Sequence, residues 1–157
     1  MAAAPERTDP AATEATETVA VKGNVFTLEV AATPQAREKG PMFRTELAFD
    51  GGMLFVFPDD RMRLFWMCNT RIPLDILFLD KDGRITAMHT MYPEEPRGEV
   101  ESEEAYHQRL PLYSSRAPAR YAIEFKAGTL GLLALSVGDT IPLDVERLRK
   151  HLRPNGD

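Results

Sequence analysis

Six side chains have the types and spacing to form a polar site: Arg44, Trp66, Asn69, Thr70, Asp75 and Glu124. A guanidinium, an indole, an amide, a hydroxyl and two carboxylates among apolar neighbours such as Met42 and Met67 can orient a small ligand through a few placed hydrogen bonds. Two of them support a different chemistry. If Asp75 and Glu124 are forced together, repulsion raises one pKa and yields the acid and base that a small hydrolase needs. The competing structural reading pairs Arg44 with Asp75 and uses Asn69 to pin a turn, because ion pairs at strand ends also perturb ionisation. Arg71 and the amides of the 69–70 corner are the other partners open to Asp75, since a buried carboxylate must be paired or lose its charge.

Other candidates are weaker. Cys68, the only cysteine, has no histidine near it in sequence, and an activated thiol needs a base or a cation beside it. It reads better as a small buried hydrophobe next to Trp66. Met88, His89 and Met91 offer soft metal donors, but a strand splits them between two faces and leaves too few ligands on either. His107 and His151 add no zinc spacing. The acidic set Glu94, Glu95, Glu99, Glu101, Glu103 and Glu104 lacks the alternating pattern and fixed glycine of a calcium loop. Neither phosphate-binding glycine loops nor a Gly-x-Ser-x-Gly elbow is present. No cofactor and no metal are expected.

The elements that must position these residues follow from periodicity. Residues 64–69 and 74–79 read as two apolar strands joined by an Asn-Thr-Arg-Ile-Pro bend, the second covered on both faces. Asp82-Gly83 turns that strand into a partner over 84–90. Upstream, 19–21 and 25–31 flank a Gly-Asn turn, with Phe26, Leu28 and Val30 inward. Thr33-Pro34 reads as the cap and first residue of a short helix that Gly40 ends. Residues 46–52 read as a loop, 53–57 as a strand closed by Pro58, and 59–63 as a charged turn. Residues 91–117 are expected to form one long acidic loop inserted at an end of the fold. A strand over 121–126 points Tyr121, Ile123 and Phe125 to the core and Glu124 to the opposite side. A short helix at 128–136, a last strand at 140–143 and an Asp144-capped tail helix complete the expectation.

The motifs Gly40-Pro41-Met42-Phe43-Arg44, Gly52-Met53-Leu54-Phe55, Phe65-Trp66-Met67-Cys68-Asn69-Thr70, Ile72-Pro73-Leu74-Asp75-Ile76 and Gly138-Asp139 resemble, in order, those of a bacterial and archaeal family, domain of unknown function 192. The resemblance spans about residues 25–143. It implies a small mainly β fold of sandwich or jelly-roll type and no particular reaction. Two positions depart from the family pattern: Pro41 stands where leucine is usual and Cys68 where lysine is usual. No ligand role of that lysine carries over. Similar sequences often begin with a signal peptide, so the resemblance also allows the protein to be periplasmic, its leader having been removed.

Size and charge set the outer bounds. With 157 residues the chain suits a single domain. Its net charge of −5 opposes binding to nucleic acid or anionic membranes, both of which need a basic surface. No apolar run approaches the roughly 20 residues of a membrane span. Residues 1–18, rich in Ala, Thr, Glu and Pro, bury too little to offset their ordering entropy and are expected to be disordered. The expectation is therefore a soluble, acidic, mainly β domain at 19–143, a sandwich or partly open barrel with two or three short peripheral helices, followed by a helical tail at 144–157. Its expected role is non-enzymatic: a binding or accessory module for a small molecule or a protein partner. The alternatives are the hydrolase built on Asp75 and Glu124, or partner binding through the 91–117 loop.

Overall fold

A computed structural model describes residues 15–152. Most of the segment expected to be disordered lies outside the described residues, but its end does not: strand β1, Thr16–Val21, already begins there. The Lys22-Gly23 turn folds β1 back antiparallel onto β2, Asn24–Ala31. Thr33 then caps helix α1, Pro34–Lys39, its hydroxyl accepting the Ala36 N–H at 3.1 Å. Proline at the first helical position needs no hydrogen-bond donor there, so cap and proline start the helix together. The chain returns through residues 40–52 to β3, Met53–Arg61, which lies parallel to β2. A parallel neighbour demands such a crossover, and this one carries α1 over one face of the sheet.

The remaining strands are β4, Leu64–Phe65; β5, Leu74–Leu79; β6, Ile85–Met91; β7, Tyr113–Ser114; and β8, Ala119–Lys126. Among the described residues the main sheet runs β1-β2-β3-β8-β5-β6, open at both edges, and β4 pairs with β7 in a separate ribbon. Three further short helices are α2, Glu103–Gln108; α3, Thr129–Leu133; and α4, Val145–Lys150. The mainly β expectation holds, with the sheet not closed into a barrel and, among the described residues, four short helices where two or three were expected.

Both faces of the sheet are covered. On one side Leu28, Leu54, Leu77, Ile123 and Phe125 pack beneath α3 and α4. On the other, Met53, Phe55, Ile76, Phe78 and Ala122 pack beneath the α1 crossover and the β4–β7 ribbon. Each large side chain fully buried in this way contributes about 1.5–3 kcal/mol, which is why the central strands tolerate so few polar residues.

Several expectations are corrected. Residues 64–69 do not form one strand: pairing stops after Phe65 and the chain turns through 66–70, because among the described residues Tyr113–Ser114 is the only partner β4 has. The 91–117 segment is not all loop, since it supplies α2 and β7. Residues 140–143 contribute only a bridge between Arg84 and Thr140. Strand β3 outlasts Pro58 because its register with β8 shifts between Val56 and Arg61, and an irregularity of that kind is where a residue without an N–H fits.

Candidate functional site

Glu124 is the residue around which a site can be built. Alternation along β8 gives Ile123 and Phe125 to the α3–α4 face and Glu124 to the other, where it sits between Met53 of β3 and Ile76 of β5. It is 3% exposed, and its Oε1 has no hydrogen-bond partner among the described residues. Burial pushes the carboxyl up to about 8 from the usual 4.5, against a smaller downward pull from the charge of Arg44. It is therefore neutral over most of the physiological range, and a neutral carboxyl can donate as well as accept.

This carboxyl faces a cavity of about 230 Å³. Phe55 and Phe57 come from β3, Phe65 from β4, and Pro41 and Met42 from the end of the α1 crossover; Trp66, Cys68 and Thr70 come from the turn. The wall is mostly apolar and aromatic, with Phe65 edge-on to Phe55 at 4.9 Å between ring centroids. Arg37, Glu38 and Lys39 contribute charge from α1. The Arg37 guanidinium is already engaged: Nη1 donates to the Ala32 and Val56 carbonyls at 2.8 and 2.9 Å, and the group lies over the Phe57 ring.

The turn at 66–70 is held from both sides. Asn69 adopts a left-handed φ of 51°, a conformation asparagine accepts more readily than most residues. Its N–H donates to the Tyr106 hydroxyl of α2 at 2.8 Å, and its carbonyl accepts from Phe43 N at 2.8 Å. Thr70 donates to the Cys68 carbonyl at 2.9 Å. Cys68, Tyr106 and Leu110 form a small buried cluster against which Met42 and Trp66 pack, and the His107 ring lies 4.7 Å from the indole. Helix α2 thus backs the turn that walls the cavity. A second cavity of about 260 Å³ opens on the other side of Thr70, between Asn69, Arg71, Pro93, Glu94, Pro96 and Tyr106.

Of the six expected residues, Trp66, Thr70 and Glu124 meet at the first cavity, and Asn69 lies at the second. The other two do not join them. Arg44 does not pair with Asp75; it makes a two-pronged bond to Glu29 at 2.6 Å on each arm, which raises the arginine pKa and lowers that of the glutamate. Asp75 points to the opposite face of the sheet, where it accepts from Thr90 Oγ1 at 2.8 Å and from the N–H groups of Gly128 and Leu130 at 2.9 Å each. The acid-base pair required of a hydrolase is therefore not assembled, because adjacent positions in paired strands sent the two carboxyls to different sides. Cys68 is 3% exposed and its thiol pKa is raised, chiefly by burial, so it carries no reactive thiolate character. Sequence reasoning missed the contribution of Phe55, Phe57 and Phe65, which read only as core. The signal available was three aromatics in neighbouring strands opposite a lone carboxylate.

Among the described residues no three His, Cys, Asp or Glu side chains are grouped to hold a metal, and no helix is long and apolar enough to cross a membrane. The family model DUF192, described as an uncharacterized ACR, matches residues 16–143. Two solved structures resemble the chain. One is a suggested transcription regulator from Sinorhizobium meliloti 1021, with 35% identity, a TM-score of 0.62 and coverage of 81% of this chain and 90% of that one. The other is a protein of unknown function from Novosphingobium aromaticivorans DSM 12444, with 30% identity, a TM-score of 0.67 and coverage of 90% and 94%. No curated protein matches.

Proposed function

We propose that this chain, which belongs to the DUF192 family, is a non-enzymatic module that binds a small molecule in the cavity between α1, β3 and the 66–70 turn. One observation carries the reading: the Glu124 carboxyl, one of whose buried oxygens has no hydrogen-bond partner among the described residues, lines an aromatic-walled space. Leaving a buried polar atom unsatisfied costs about 1–3 kcal/mol, and a bound molecule that supplies the missing hydrogen bond recovers part of that cost. The aromatic wall supplies the apolar contact and the Glu124 carboxyl fixes orientation, the usual division of labour in a small-molecule pocket.

The Sinorhizobium relative is described as a transcription regulator, but the net charge of −5 on this chain opposes contact with DNA. Trp66 lines the cavity and is the only tryptophan, so its emission reports occupancy directly. A metabolite screen read by Trp66 fluorescence and melting temperature tests the reading. The expected result is at least one compound that shifts both, with the shift reduced in Thr70→Val or Glu124→Leu. If no compound moves the Trp66 signal, the binding reading falls.

A further inference from the structure

We infer that the molecule this cavity accepts is uncharged, with an apolar body against the phenylalanines and one hydrogen-bond acceptor, such as an amide or ketone oxygen, meeting the Glu124 carboxyl at the floor. This rests on the binding role proposed above and narrows it to a chemical class.

A cationic ligand meets opposition. Arg37 and Lys39 outnumber Glu38 among the charged groups lining the cavity, and the Phe57 face that would attract a cation is occupied by Arg37 and by Arg63, the latter at 3.9 Å. An anionic ligand has nothing to neutralise it at the floor. Arg44 is bound to Glu29 and Arg37 Nη1 is spent on two carbonyls, while Lys39 is exposed at the rim. A neutral acceptor has neither difficulty. It takes the carboxyl proton as a hydrogen bond, and the phenylalanines of β3 and β4 with Met42 and Trp66 cover the rest of it.

The titratable and charged groups around Glu124 are few. From α1 come Arg37, Glu38 and Lys39, from the following loop Arg44, and from the turn Cys68; Met53 of β3 and Ile76 of β5, on either side, are apolar. Of the carboxylates nearby, Glu29 is engaged by Arg44, and Glu38 of α1 is not among the groups that act on Glu124, so donation from Glu124 ceases when its proton leaves.

Three compounds sharing one ring test the class on the full-length protein: benzamide, benzylammonium and benzoate, each titrated against Trp66 fluorescence and by calorimetry near neutral pH. Benzamide is expected to bind about tenfold or more tightly than either ion. The preference is expected to vanish in Glu124→Leu, to survive in Glu124→Gln, whose amide still donates, and to decline in the wild type above about pH 8. Equal or tighter binding of either ion overturns the inference while leaving a binding site in place. Binding by none of the three, when Trp66 responds to other compounds in the wider screen, overturns it equally. Silence of Trp66 toward every compound removes the binding reading itself.

Discussion

A carboxyl that is neutral when folded and ionised when unfolded makes stability depend on pH in a direction opposite to most acidic residues. Glu124 titrates near 8 in the folded protein and near 4.5 when released. Between those values the native state holds a proton that the unfolded state has lost, so stability falls as pH rises through that window and its loss is complete above it. Glu124→Gln is expected to flatten that slope by on the order of a few kcal/mol across the window, measured by urea denaturation at a series of pH values. Glu124→Leu is expected to stabilise the protein by about 1–3 kcal/mol at pH 8, because it removes an unsatisfied buried group. A stabilising substitution at a pocket residue is the mark of a position kept for a purpose other than folding. Replacing Asp75 has the reverse effect on stability. With three hydrogen bonds and 1% exposure, its replacement by alanine is expected to cost about 3 kcal/mol or more and to leave benzamide binding unchanged.

Among elements, the α1 crossover and the 66–70 turn decide whether the cavity exists, and each depends on a backbone detail. Gly52 has φ 144°, and a Cβ placed there would lie 2.4 Å from the Glu124 carbonyl oxygen. Gly52→Ala is expected to push β8 away from the β3 entry and cost upwards of about 2 kcal/mol, a loss that calorimetric unfolding would register. Tyr106→Phe removes the hydroxyl that receives Asn69 N–H and is expected to cost about 1–2 kcal/mol and broaden Trp66 emission as α2 loosens. Such elements differ in how readable they were. The β5–β6 hairpin was legible because Asp82-Gly83 and flanking apolar runs obey local rules, and Asp80 accepts from Asp82 N and Arg84 N as a turn of that kind requires. The 66–70 turn was not, because Trp-Met-Cys continues an apolar run and only the short reach of β7 ends the strand. Helix α2 was hidden for a related reason: its six residues bury only Tyr106, too little for a helical period to show among the glutamates. Glu124 was singled out correctly, yet its burial was not legible, since alternation alone put it on a side that could as well have faced water.

At the scale of the whole molecule, both ends of the described chain meet. Glu17 on β1 accepts from Arg147 Nε at 2.8 Å and lies 2.6 Å from His151 Nε2, so the segment around α4 fastens an edge strand. Because Glu17 is 8% exposed, the combined Arg147→Ala and His151→Ala change leaves a buried acid uncompensated. It is expected to cost about 1–3 kcal/mol and to speed amide exchange in β1 while β5 and β8 stay protected, a pattern that hydrogen-exchange mass spectrometry resolves. The sheet order carries a consequence of another kind. Among the described residues β8 is the last strand in chain order, yet it lies between β3 and β5 and is the only one of the described strands that joins the first three to the β5–β6 pair. A nascent chain can form its early hairpins but holds two unmatched inner edges until residues 119–126 are translated. The same strand brings in Glu124, so the newborn protein closes its sheet and acquires the floor of its cavity in one event.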